Sequence, residues 1–257
     1  MRVFVPALPR LAGLLGLVLI SACSADSLMG PSMSADYAKG GHKPPPPPPP
    51  PPPTHDPILF VHGYNASSST WTTMVSRFKA DGWTDAELVN WSYDYTKSNR
   101  TTASLIKAKV DSILSATGAT KVDIITHSMG ALSARFYIDS LGGEGKVDGF
   151  ALLGGPNHGT TTAGFCALFD VSCSEMLPGS TFLNHLNATD ETPGIERYAT
   201  WRSPCDEVIN PHGSEVLNGA LNDQTTCLTH SQLHEDATVY GQVRDWVTGV
   251  TVLAIAP

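Results

Sequence analysis

The sequence has no excess of basic residues and no apolar run long enough to cross a bilayer. Its 16 Lys and Arg residues are outnumbered by 24 Asp and Glu residues, which gives a formal net charge of −8 at pH 7. It also lacks a zinc-type spacing of Cys and His, a calcium-loop spacing and a glycine-rich phosphate loop. These absences argue against nucleic acid as a partner, and we expect neither a metal nor an organic cofactor.

The N-terminus has the pattern of an export signal. Arg2 and Arg10 give a positively charged segment before an apolar run, Leu11 to Ile20, of about ten residues. A membrane span takes roughly 20. The sequence Ile20-Ser21-Ala22-Cys23 that follows resembles the lipobox of bacterial lipoproteins. That resemblance makes residues 1–22 a signal peptide and implies that Cys23 is lipidated and anchors the protein to the cell envelope. The alternative is an ordinary cleaved signal peptide and a secreted protein.

Residues 23–56 are expected to form a disordered, proline-rich linker. The prolines from Pro44 to Pro53 favour an extended polyproline II rod, roughly 30 Å long at about 3.1 Å per residue. A spacer between a lipid anchor and a globular domain is a better interpretation than a ligand for an SH3-type domain, which an exported bacterial chain would rarely meet.

The five cysteines fit an exported protein with two disulfide bonds. Cys23 is the natural unpaired one, which leaves three possible pairings of the other four. We favour Cys166–Cys173, which closes a short local loop, and Cys205–Cys227, which would tie two functional loops together.

Residues 57–257 predict one catalytic domain of the α/β class. Continuous apolar strands alternate with helical periodicity, a pattern typical of a mostly parallel sheet with helices on both faces. The predicted strands are Ile58–Val61, Ala86–Trp91, Val122–Ile125, Phe150–Leu153 and Arg197–Trp201, and the predicted helices span about 71–80, 103–117, 130–141 and 237–247.

The sequence Thr126-His127-Ser128-Met129-Gly130 lies where an apolar strand gives way to a helix. Such a junction can hold a serine hydroxyl on a tight turn, as in the G-x-S-x-G pattern. Gly130 fits that pattern, but Thr126 replaces its first glycine. Ser128 is therefore the candidate nucleophile.

The candidate acid is Asp206, because it lies a few residues beyond the end of a predicted strand. In α/β-hydrolases the chain order is nucleophile, acid, histidine. Glu207 is the alternative acid, although neighbouring side chains on an extended segment point in opposite directions. Other downstream aspartates are Asp170, Asp190 and Asp223.

The candidate base is His234, which directly precedes the last predicted helix. His230 is the alternative and would otherwise be a surface or supporting residue. His158 and His185 precede the proposed acid and break the expected chain order. His127 is adjacent to the serine and cannot easily face its hydroxyl.

An oxyanion formed at Ser128 needs preorganised donors. One donor should be the backbone N–H of Met129, at the start of the helix after the serine. The other should come from the loop after the first strand, where Gly63 permits a tight bend, and we choose the backbone N–H of Tyr64.

Three separated motifs resemble the small bacterial triacylglycerol lipases typified by the Bacillus secreted lipase. They are Phe60-Val61-His62-Gly63, the segment Val122 to Gly130, and Leu153-Gly154-Gly155. The resemblance implies a minimal α/β-hydrolase fold with about six strands. It carries over the nucleophile to Ser128, the acid to Asp206, the base to His234 and the oxyanion donors to Tyr64 and Met129.

The sequence departs from the smallest members of that family in an insertion between His158 and Ile195. Residues 160–194 are interpreted either as a lid or acyl-binding wall, or as ordinary packing beneath a surface loop. The favoured function is a monomeric triacylglycerol lipase acting through an acyl-enzyme. A short-chain carboxylesterase or polyester hydrolase, an acyltransferase and a non-catalytic surface lipoprotein are the alternatives.

Overall fold

The computed structural model describes residues 53–249. Its centre is a parallel sheet of six strands in the order β2-β1-β3-β4-β5-β6. The strands are β1 (Ile58–Val61), β2 (Leu88–Asn90), β3 (Val122–His127), β4 (Val147–Leu153), β5 (Arg197–Arg202) and β6 (Leu221–Gln224). Because all strands run in one direction, their carboxyl ends share one edge of the sheet.

Strand β1 is apolar throughout, and β3 and β4 are almost entirely buried, because both faces of the sheet are covered. In β1, Leu59 and Val61 pack into one apolar cluster, and Ile58 and Phe60 pack into another on the opposite face. This alternation follows from the two-residue side-chain period of a strand. The sheet is therefore the middle of three layers.

Six α-helices accompany the sheet within the described residues: α1 (Thr72–Ala80), α2 (Asn99–Thr117), α3 (Gly130–Ser140), α4 (Val171–Glu175), α5 (Thr181–Leu186) and α6 (Ala237–Val247). Helices α2 and α3 contribute to the first cluster, and α1 and α6 to the second. Local signals fix several ends. Gly118 ends α2 in the left-handed region at φ 73°, and the Asp236 side chain accepts from the N–H groups of Thr238 and Val239 at the start of α6.

The observed architecture confirms the expected α/β fold and its parallel sheet. Strand β6 and the short helices α4 and α5 were not located from the sequence. Strand β6 has the sequence Leu-Asn-Asp-Gln and lies at the sheet edge, so it carries no apolar pattern. The short helices lie in the insertion and have too few turns to show a clear period.

The expected signal peptide, the lipidated Cys23 and nearly all of the proline-rich linker lie outside the described residues. Within residues 53–249, none of the helices combines the length and the apolar character that a membrane crossing requires.

Candidate active site

Ser128 lies on a sharp turn between β3 and α3, at the carboxyl edge of the sheet. Its φ of 55° is in the left-handed region, which non-glycine residues rarely adopt. Gly130 makes this turn possible, since a Cβ there would lie 2.5 Å from the carbonyl oxygen of His62 and 2.6 Å from that of Val61. Two backbones thus meet where the serine is presented.

Thr126 does not disturb the turn, although it replaces the expected glycine. Its side chain is fully buried, and its hydroxyl donates to the carbonyl oxygen of Ala151 on the neighbouring strand β4 at 3.2 Å. The polar atom is therefore satisfied, and the branched side chain fits a central strand.

The loop after β1 passes directly against the serine. A Cβ on Gly63 would lie 2.7 Å from Ser128 Cβ, so only glycine allows this approach. His62 fixes the loop: its Nδ1 donates to Gly63 O at 2.9 Å, and its Nε2 accepts from the Tyr93 N–H at 3.3 Å. The Tyr93 hydroxyl donates back to His62 O at 2.5 Å.

Tyr64 follows Gly63, whose backbone passes against Ser128, and Met129 directly follows Ser128 in the chain. Neither backbone N–H group donates a hydrogen bond to an acceptor within residues 53–249. Both remain available for a ligand oxygen next to the serine, as an oxyanion site requires.

The structure joins Asp206 to His230, not to His234. The Nδ1 of His230 donates to Asp206 Oδ2 at 2.7 Å, and both side chains are buried. The sequence interpretation that paired Asp206 with His234 is therefore wrong: a 3-10 turn, Ser231–His234, starts directly after His230, and the ring of His230 meets the carboxylate. With Nδ1 engaged, Nε2 of His230 is the nitrogen left to accept a proton.

His230 is held through its backbone as well as its ring. Its N–H donates to Glu207 Oε2 at 3.0 Å, and its carbonyl oxygen accepts from His127 Nε2 at 3.0 Å. Glu207, considered above as an alternative acid, thus binds the backbone of the histidine while Asp206 binds its ring. The neighbouring acidic side chains diverge and act on different atoms of one residue.

His234 also lines the cavity that contains Ser128 and His230, but it does not contact Asp206. Its ring meets that of His127 edge-on, with centroids 4.6 Å apart, and lies 6.0 Å from the ring of Trp71. Its Nδ1 is buried with no hydrogen-bond partner within residues 53–249. Burial lowers the pKa of His234 from its ordinary value, which keeps the ring neutral.

Asp206 stays ionised although it is buried. Desolvation by itself would raise its pKa, but the hydrogen bond and charge of His230, together with N–H donors of Val208 and Ile209, lower the pKa below its usual value. Nearby Glu215 behaves in the opposite way. Burial, reinforced by the negative charge of Asp206, raises its pKa to about 9, so Glu215 is neutral at pH 7.

The structure contains the disulfide bonds Cys166–Cys173 and Cys205–Cys227. The second connects the residue before Asp206 to the segment that leads to His230. It closes a loop with a sequence separation of 22 residues, which on loop-closure grounds stabilises the fold by about 3 kcal/mol. Two disulfide bonds are also consistent with export from a reducing cytoplasm.

A cavity of about 470 Å³ opens above Ser128 and is lined by His230 and by residues of the insertion. Its wall includes Ala163, Cys166 and Met176 from the insertion. The insertion is thus part of the site. The insertion also exposes large apolar residues: Phe165, which lines the cavity, is 77% exposed, and Leu168 and Phe169 are each 74% exposed.

Residues 55–244 match the model of the family described as "Lipase (class 2)". The chain belongs to the class 2 lipase family. This confirms the resemblance to bacterial lipases, the α/β-hydrolase superfamily and the expectation of a serine ester hydrolase.

Several solved structures share the fold of this class 2 lipase. The mature form of Bacillus licheniformis lipase BlEst2 has a TM-score of 0.68 and 18% identity, covering 78% of this chain and 95% of that one. Aspergillus fumigatus lipase B has a TM-score of 0.63 and 14% identity, covering 76% of this chain but 52% of its own. Phospholipase PlaB from Legionella pneumophila has a TM-score of 0.58 and 13% identity, and the match covers 76% of this chain and 62% of PlaB. At these identities the likeness shows the fold.

Three supporting residues of the lipase site were missed by sequence reasoning: His127, Glu207 and Glu215. Glu207 had been weighed only as a rival of Asp206, and His127 only as a rival base. No local pattern marks Glu215, because its burial depends on packing near Asp206. The adjacency of Asp206 and Glu207 was the one available signal, since neighbours on an extended chain reach different partners.

The buried histidines predict a loss of stability in mild acid. Burial holds the pKa of His127 well below its ordinary value, and a positive charge on His230 or His234 would lower it further. An unfolded histidine titrates near about 6.5, so its stabilising effect is complete above that pH and is lost as the pH falls. In urea unfolding measured from pH 7.5 to 5, the free energy of unfolding should fall as the pH drops below about 6.5, with a limiting slope of about 1.4 kcal/mol per pH unit for His127.

The variant His127→Gln keeps a donor for His230 O. It should reduce the slope by the contribution of His127. His212→Gln, at the exposed first residue of the 3-10 helix His212–Glu215, is the matched control and should leave the slope as in the wild type. An unchanged slope in His127→Gln would contradict the assignment of the neutral buried ring.

Proposed function

We propose that the protein hydrolyses carboxylic esters with apolar acyl chains, with triacylglycerols as the favoured substrate, through the triad Ser128, His230 and Asp206. The observation that carries the proposal is the buried 2.7 Å hydrogen bond from His230 to Asp206, beside a serine held at positive φ. A nucleophile, a base and an orienting acid are the parts that acyl transfer to serine needs.

In the proposed reaction, Ser128 Oγ attacks the ester carbonyl carbon while His230 Nε2 takes its proton. Asp206 holds the ring in the tautomer with Nδ1 protonated and stabilises the imidazolium that forms. Collapse of the tetrahedral intermediate breaks the bond to the alcohol, which leaves with the proton from His230. Water then attacks the acyl-enzyme in the same way and releases the acid.

The negative oxygen of each tetrahedral intermediate would accept hydrogen bonds from the backbone N–H groups of Tyr64 and Met129. A donor of this kind contributes about 2.7–4 kcal/mol to transition-state stabilisation. Because both belong to the backbone, side-chain substitution cannot remove them directly, and their positions depend on Gly63 and Gly130.

The rim of the cavity supports an apolar substrate. Exposed Phe165 lines the cavity together with Ala163 and Met176, and the exposed ring of Phe169 lies 5.7 Å from that of Phe165. An acyl chain that leaves water for this surface gains about 25 cal/mol per Å² of buried apolar area. The insertion therefore has the composition of an acyl-binding wall.

The assignment of the base to His230 and not to His234 can be tested directly by substitution. We expect His230→Ala to lower kcat for a p-nitrophenyl ester by about 10³-fold or more, while His234→Ala retains most of the turnover because its ring does not meet Asp206. Ser128→Ala sets the background of the assay. An inactive His234→Ala beside an active His230→Ala would return the base role to His234.

Acyl length distinguishes a lipase from its nearest rival, a short-chain carboxylesterase or polyester hydrolase. With p-nitrophenyl esters from acetate to palmitate, we expect kcat/KM to rise with chain length, since each buried methylene adds about 0.8 kcal/mol. Emulsified triolein should be hydrolysed, with Ser128→Ala as the control. A maximum at acetate and no triolein hydrolysis would favour the carboxylesterase.

We also propose that the catalytic domain is held at the cell envelope by a lipid on Cys23. The lipobox-like sequence before Cys23 and the proline run after it support a tethered enzyme. Mass spectrometry of the mature chain should find a diacylglyceryl-modified N-terminal Cys23, and Cys23→Ser should lose it. An unmodified N-terminus beyond Cys23 would indicate a secreted protein.

A further inference from the structure

The loop that carries a proposed oxyanion donor is bound to the insertion by one side-chain hydrogen bond. The hydroxyl of Tyr64 donates to Asp170 Oδ2 at 2.5 Å. Tyr64 and Asp170 are separated by 106 positions in the sequence, so this bond connects two elements that the sheet does not connect. The acceptor raises the pKa of the Tyr64 phenol to about 12, and the hydroxyl therefore remains a donor at neutral pH.

Asp170 is a well-fixed partner because it lies inside the ring that the Cys166–Cys173 disulfide closes. Its N–H donates to Cys166 O at 2.9 Å, and its carbonyl oxygen accepts from the Ser174 N–H at 3.2 Å. Its carboxylate makes no capping bond to α4, although the residue precedes that helix. The side chain is thus free of a local structural task and faces Tyr64.

The loop around Tyr64 has few bonds of its own beyond the turn. Asn65 follows with a φ of 52°, and its side-chain oxygen accepts from the Tyr95 hydroxyl at 3.1 Å. The backbone N–H of Tyr64 has no acceptor within the described part of the chain. Its direction is therefore set by the neighbouring turn at Gly63 and by what holds the Tyr64 side chain.

We infer that Asp170 is a positioning residue: it aims the backbone N–H of Tyr64 at the oxyanion through the Tyr64 hydroxyl, and so makes the disulfide-closed loop part of the catalytic apparatus. The inference rests on the proposed function of Tyr64. A displacement of a reacting group by about 1 Å can lower a rate about 100-fold. Loss of the hydrogen bond at the Tyr64 hydroxyl therefore needs to shift the backbone only slightly to lower the rate.

Two substitutions break the bond without removing the backbone donor. Tyr64→Phe deletes the hydroxyl, and Asp170→Ala deletes the acceptor, whereas Asp170→Asn keeps an acceptor oxygen at the same length. Tyr240→Phe is the matched control, since the Tyr240 hydroxyl donates to Asp81 Oδ2 at 2.7 Å and neither residue lines the cavity.

We expect Tyr64→Phe and Asp170→Ala each to lower kcat for p-nitrophenyl butyrate by about 10-fold or more. KM should change by less than about twofold. Asp170→Asn should restore most of kcat, and the double variant Tyr64→Phe/Asp170→Ala should fall no further than either single variant. Wild-type kcat in both single variants, or losses that multiply in the double variant, would overturn the inference.

Hydrogen exchange of the backbone supplies a readout that does not depend on turnover. Exchange in a peptide covering residues 62–68 should become faster in Tyr64→Phe and Asp170→Ala, but not in Asp170→Asn or Tyr240→Phe. Unchanged exchange would refute the positioning role even if ester hydrolysis is confirmed. Faster exchange without any Ser128-dependent turnover in the wild type would instead refute the proposed function and leave the mechanical coupling established.

Discussion

The structure depends on the close approach of two backbones at the carboxyl edge of the sheet. The turn at Ser128 and the loop after β1 lie so near each other that a Cβ at Gly63 or Gly130 would overlap serine or carbonyl atoms. This contact accompanies the positive φ of Ser128 and brings the residues before Tyr64 and Met129 together, as the proposed oxyanion site requires. The parallel sheet makes the contact possible, because β1 and β3 are neighbours that end at the same level.

Asp206 and His230 lie far along the sequence from Ser128, in segments without regular secondary structure. A disulfide and hydrogen bonds hold these segments in place. The Cys205–Cys227 disulfide joins the two segments that carry Asp206 and His230. Glu207 and His127 then fix the backbone of His230 on both sides. A histidine held at its ring, its N–H and its carbonyl has little freedom to turn, which favours a preorganised base.

Much of the site could be predicted from the sequence because its signals are local. The apolar strand before Ser128, Gly130 after it and the position of Asp206 beyond a strand all lie within a few residues of the feature they mark. The base could not be chosen in this way. His230 and His234 lie four residues apart in one loop, and the difference between them depends on a 3-10 turn at Ser231–His234, which decides which ring meets Asp206.

The insertion was the least predictable part for the same reason. Its helices α4 and α5 are short, and its link to Tyr64 is a side-chain bond across 106 positions that no local pattern records. Its apolar composition was visible in the sequence, but its place at the mouth of the cavity follows from tertiary packing. The outer wall of the site is therefore a property of the fold.

The central claim is that Asp206 and His230 activate Ser128 as a nucleophile. The measurement that tests this claim most directly is the second-order rate constant for phosphonylation by a fluorophosphonate. Peptide mass spectrometry then locates the adduct. The account predicts a single adduct on Ser128, with a rate lowered by about 10³-fold or more in His230→Gln and little altered in His234→Gln. No adduct on Ser128 in the wild type, or an undiminished rate in His230→Gln, would contradict it.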